Sequence, residues 1–187
     1  MADLAWFRER FGPSERAEPI DWDDVHRRLG LEFPAPYREL MDAYPSLWID
    51  EYLMLLHPLR PAARGLVENW EFLLQEQARF GGPRRVEEFD PATGETRVTD
   101  RRYPCYPEPG GLFPWGRTEY QVLCWLTDPD PDKWTVVVCD YVAHWRYMGG
   151  VTDFLADVLS HRLRCPLFAR DWPDPSRPFE IAQFPEG

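Results

Sequence analysis

Two β-rich runs, joined by a segment that can only turn, set the strongest limit on how this chain folds. Tyr120 to Thr127 reads YQVLCWLT and Lys133 to Asp140 reads KWTVVVCD. β-Branched and aromatic side chains suit a pleated, half-buried surface. Between the runs lies Asp128-Pro129-Asp130-Pro131-Asp132. Proline fixes φ and withholds an N–H, and aspartate bonds its own backbone, so this segment reverses the chain. The pair is expected to form an antiparallel hairpin.

Other elements are expected around that hairpin. His144 to Met148 reads as a third short strand, stopped by Gly149-Gly150. Tyr52 to His57 is a short apolar run that Pro58 ends, as in a buried strand. Arg84 to Phe89 reads as an edge strand that turns at Asp90 to Gly94 and returns through Thr96 to Val98. Pro104 to Gly111 reads as a loop. Helical spacing of Trp22, Val25, His26 and Leu29 predicts a helix with Asp21 as N-cap and Gly30 as its stop. A second helix carries Pro36 in its first turn, with Tyr37, Leu40 and Met41 on one face. A third is expected from Ala62 to Phe80, and a closing one from Thr152, as cap, to Leu163. Without a regular βαβ alternation, the expected class is α+β, a central and mostly antiparallel sheet flanked by helices. The expected layout is an N-terminal extension over 1–19, a domain over 20–164 with an irregular insert at about 81–111, and a Pro- and aromatic-rich tail over 165–187 packed on it.

Charge narrows the function. Lys and Arg total 21 against 32 Asp and Glu, a formal net charge of −11. Such a field repels phosphate backbones, so no nucleic-acid partner is expected, and it attracts basic proteins. The N-terminal residues show no basic region followed by an apolar stretch, and no segment has the length of a membrane span. Cys105, Cys124, Cys139 and Cys165 lie at no CxxC spacing. A cytoplasmic protein with reduced, structural thiols is expected, with no membrane partner.

No catalytic motif emerges. His26, His57, His144 and His161 form no HxH or HExxH pattern, and His161 with Cys165 falls at a helix end. There is no GxSxG elbow and no phosphate loop. Cys124 and Cys139 sit among apolar strand residues, which are expected to raise both thiol pKa values. Asp128, Asp130 and Asp132 alternate as a calcium loop begins, but proline fills both gaps and no Gly or distal Glu follows at the proper offset. A polar turn is the expected reading. No cofactor, no metal and no enzyme activity are expected, although paired-acid chemistry stays open on carboxylate count. Trp115, in Phe113-Pro114-Trp115-Gly116, admits two readings, a core residue and an exposed binding anchor.

These motifs taken in order resemble the SUKH superfamily, which includes the yeast Smi/Knr cell-wall regulators. Leu29-Gly30 with Phe33-Pro34 and Tyr37 resembles its "LG…LP…Y" signature, and Leu53 to Pro58 its next strand. Phe113-Pro114-Trp115-Gly116 resembles a central "PWG" turn. Cys124-Trp125, Asp130-Pro131-Asp132, Trp134 and Val136-Val137-Val138 resemble its hairpin, and Phe154-Leu155 its closing helix. The matches run from about Trp22 to Leu163; Tyr44-Pro45 departs from the usual Tyr-Gly step, and the stretch from Ala62 to Gly111 carries an insert. The resemblance implies a sheet flanked by helices and a protein-binding role. It implies an immunity protein that neutralises a polymorphic toxin, such as a basic nuclease, with a non-catalytic regulatory or scaffolding role as the alternative. Trp115, Glu119, Asp128, Asp130 and Asp132 are the candidate contacts, chosen because loops around the hairpin are expected to be exposed.

Overall fold

The computed structural model describes residues 3–13, 19–45, 47–59, 83–140 and 142–183. Its helices are α1 (Leu4–Phe11), α2 (Trp22–Leu29), α3 (Ala35–Ala43) and α4 (Val151–Leu159). Its strands are β1 (Leu47–Ile49), β2 (Leu53–Leu55), β3 (Arg84–Phe89), β4 (Thr96–Arg101), β5 (Leu112–Arg117), β6 (Val122–Leu126), β7 (Thr135–Cys139), β8 (Ala143–Tyr147) and β9 (Ile181–Gln183). The fold is α+β. The strands make one sheet in the order β4-β3-β8-β7-β6-β5-β2-β1-β9. Every pairing is antiparallel except that of β3 with β8. The helix expected over Ala62 to Phe80 lies outside the described residues.

Local chemistry sets the helix ends. The Asp21 carboxylate accepts the Asp24 N–H at 2.9 Å, and Gly30 closes α2 at φ 66°, where a Cβ is disfavoured. Pro36 sits in the first turn of α3. In α4 the expected cap is displaced. Gly150 takes the N-cap position and Thr152 is a buried residue of the first turn. The helix stops at Leu159, a turn before Leu163, because His161 adopts φ 58° and leaves the helical region.

The helices lie over a large core. Tyr37 of α3 meets Trp125 of β6 edge to face at 4.7 Å, and Phe33 touches Phe113, Trp125 and Trp134. Each such aromatic pair adds about 0.5–1.5 kcal/mol beyond its buried area. Phe7 of the expected extension and Trp172 of the expected tail belong to the same core. A smaller cluster holds Val86, Tyr103, Cys105, Leu112, Cys124, Val137 and Cys139. Cys105 and Cys165 thus lie in different clusters, and all four cysteines are free and buried.

Several strands differ from expectation. β3 is interior, and among the described residues β4 lies outside it at that edge of the sheet. The 47–49 segment adds β1, joined to β2 by Asp50, Glu51 and Tyr52, the first two at φ 52° and 53° as the left-handed pair of a tight hairpin. The tail contributes β9, which pairs with β1. Phe113-Pro114-Trp115-Gly116 is part of β5 and not a turn. Its register with β6 shifts between Pro114 and Gly116, so Trp115 is the extra residue of a bulge. A bulge re-aims a side chain, and this one leaves the Trp115 indole fully buried against Trp125 and Phe154.

Candidate protein-binding surface

Burial decides the first candidate. Trp115 is a core residue, and the reading of it as an exposed anchor is corrected. Glu119, Asp128 and Asp132 are exposed, and Asp130 is partly so. They do not form one patch. Glu119 lies on the turn from β5 to β6 and the three aspartates on the turn from β6 to β7. The five residues of β6 separate them, roughly 17 Å at strand rise.

The Glu119 end of the sheet carries side chains that the sequence reading missed. Thr118 is buried and holds the turn rigid: its N–H donates to Gln121 O at 2.9 Å, and its Oγ1 accepts the N–H of Tyr120 at 3.2 Å and of Gln121 at 3.0 Å. Glu119 and Tyr120 form the tip, and Tyr120 is 65% exposed. The neighbouring Glu119 carboxylate raises the Tyr120 phenol pKa. The next turn is built in the same way. Asp140 Oδ1 accepts the N–H of Val142 at 2.7 Å and of Ala143 at 2.6 Å, and leaves Val142 79% exposed. Because Val122 pairs with Cys139, both tips stand at the same end of the sheet. Tyr120 was legible only as the start of a strand; the signal for a turn was Thr118, whose hydroxyl is two residues before it.

The aspartate turn is occupied by its own backbone. Asp128 Oδ1 accepts the Asp130 N–H at 2.9 Å, and Asp130 Oδ1 accepts the Asp132 N–H at 3.2 Å. Lys133 pairs with Asp130 at 3.2 Å and holds its carboxyl below the usual range, helped by the Asp132 N–H. Among the described residues no group of three or more His, Cys, Asp or Glu is placed to hold a metal ion.

Two other groupings carry reactive side chains. A cleft of about 600 Å³ is lined by Trp6, Pro91, Ala92, Tyr147, Asp153, Asp157 and Arg162. Asp157 there accepts the Tyr147 hydroxyl at 2.7 Å and the Arg162 guanidinium at 2.9 and 2.8 Å. In the smaller core Cys139 pairs in register with His144. Burial raises the Cys124 thiol, as expected. Cys139 departs from that expectation in direction: the hydrogen bond from the Cys124 thiol, with His144 beside it, lowers its pKa against the raising effect of burial. Burial pushes the His144 imidazole down, and Cys139 overrides this to raise it. Both residues are buried, so the pair is packed inside the protein and not presented at the cleft.

Compared with known protein families, curated proteins and solved structures, the chain matches none. Among the described residues no helix is long and apolar enough to cross a membrane.

Proposed function

We propose that this protein acts by binding another protein, and that the partner is a basic toxin domain which it neutralises in a reducing cytoplasm. The observation that carries this reading is the pair of rigid tips with Tyr120 65% and Val142 79% exposed. A tip whose backbone is already ordered by hydrogen bonds loses little backbone entropy on binding, and tyrosine is enriched among the residues that dominate interfaces. Glu119 beside Tyr120 supplies charge of the sign that a basic partner requires. The net charge of −11 supports the same partner, and so does the resemblance to SUKH immunity proteins.

Co-expression with the product of the neighbouring gene tests the proposal. The expected result is a neighbour that stops growth alone, with growth restored and a complex purified when this protein is present. Tyr120→Ala is expected to weaken that complex by at least about tenfold, the size of a central aromatic contact. A harmless neighbour that does not co-purify would move the reading to a regulatory or scaffolding role.

A further inference from the structure

Among the described residues β4 lies at one edge of the sheet and β9 at the other. No described segment pairs with the outer side of β4, and its residues are exposed apart from the half-buried Thr99. The Asp90 N–H donates to Glu95 O at 2.9 Å. Counting from that bond, the alternation of an antiparallel ladder turns the N–H and C=O of Thr96, Val98 and Asp100 away from β3. These groups form a ready template for another strand. In the middle of them Val98 is 55% exposed, an apolar side chain on an otherwise polar edge.

We propose that β4 pairs with β4 of a second copy of this chain, antiparallel and centred on Val98. A two-fold axis normal to the sheet keeps each face on its own side, so residues pair only with residues of the same parity. Centring on Val98 sets Val98 against Val98, Thr96 against Asp100, Arg97 against Thr99 and Glu95 against Arg101 of the copy. The exposed valines meet on the axis, and opposite charges meet at both ends of the ladder. The neighbouring registers are worse. Centring on Arg97 puts two guanidiniums together, centring on Thr99 sets Arg97 against Arg101, and centring on Asp100 puts two carboxylates together. The surrounding charge also permits the contact. Residues 84–102 hold five arginines and five carboxylates, so the hairpin is neutral in a chain of net charge −11. Two copies meet there without the repulsion they would feel elsewhere.

Sedimentation equilibrium of the full chain across a concentration series tests this. The expected result is a mass that rises from one chain to two. Val98→Pro is expected to hold the protein at one chain. Its lost N–H points outward, so the β3–β4 ladder keeps its bonds and the circular dichroism stays unchanged. Arg101→Glu sets like charges at both ends and is expected to raise the dimer dissociation constant about tenfold. Adding Glu95→Arg to Arg101→Glu reverses both partners and is expected to restore the wild-type constant. A single-chain mass at every concentration, a dimer that survives Val98→Pro, or an exchange that restores nothing would each overturn the proposal.

Discussion

A buried indole with no acceptor is costly to keep, and this core has two of them. Trp115 Nε1 and Trp125 Nε1 find no hydrogen-bond partner among the described residues. Trp115 therefore contributes through area and contact alone. Trp115→Ala removes that area and leaves a cavity, at an expected cost of about 3–5 kcal/mol in urea unfolding. Trp115→Phe keeps most of the contact and removes an unsatisfied donor whose burial costs about 1–3 kcal/mol. Its unfolding midpoint is expected to stay close to wild type, with partner affinity unchanged. An affinity loss in the folded Phe variant would return Trp115 to the interface. Residue identity alone did not separate these roles, because Pro and Gly on either side of Trp115 read as turn chemistry. The bulge that tilts it inward depends on β6, and the approach of β2 requires Gly116: a Cβ there would meet Met54 O at 3.0 Å.

Among the elements, Asp50 ties the C-terminal segment to the sheet. Its side chain accepts the Glu180 N–H at 2.8 Å and the Trp172 indole N–H at 3.1 Å. Its own N–H donates to Glu180 O at 2.7 Å. Asp50→Ala leaves two donors without their acceptor, each worth about 1–3 kcal/mol, at a left-handed position that alanine tolerates poorly. The loss falls on β9 and its approach, so chymotrypsin is expected to cut after Phe179, just before β9, much faster than in wild type while the rest of the chain resists. Asp50→Asn keeps an acceptor oxygen and accepts the backbone angle, and is expected to cut at close to the wild-type rate. Equal cleavage in all three proteins would show that β9 is held by other contacts. The hairpin β6–β7 was legible because Pro and Asp allow one local outcome. β1 and β9 were not, because three residues are too few to show alternation and their pairing is set by a distant partner. β3 was legible as a strand but not as an interior one. Its charged face is stabilised by Glu88, which meets Arg146 at 3.0 Å and Tyr103 Oη at 3.2 Å, contacts made only once the sheet exists.

For the whole molecule, the question is how an acidic chain divides attraction from grip. The aspartate turn and the Tyr120 tip stand at opposite ends of β6, roughly 17 Å apart. At physiological salt the screening length is about 8 Å, so charge at one end is largely unseen at the other; at low salt it is seen. Long-range charge mainly changes the rate of encounter, whereas desolvated contacts set the rate of departure. If a partner docks on the Tyr120 end, replacing Asp128, Asp130 and Asp132 with Asn keeps the acceptors that form the turn and removes only charge. The triple variant is then expected to associate more slowly at low salt, at the wild-type rate at physiological salt, and to dissociate unchanged in both. Tyr120→Ala is expected to do the reverse, with faster dissociation at every salt concentration and little change in association. Stopped-flow and surface-binding kinetics of the co-purified complex separate the cases. Faster dissociation of the triple variant would place the aspartate turn in the contact itself. The sequence-based choice of Asp128, Asp130 and Asp132 would then be correct for the interface, and the Tyr120 tip would not be its centre.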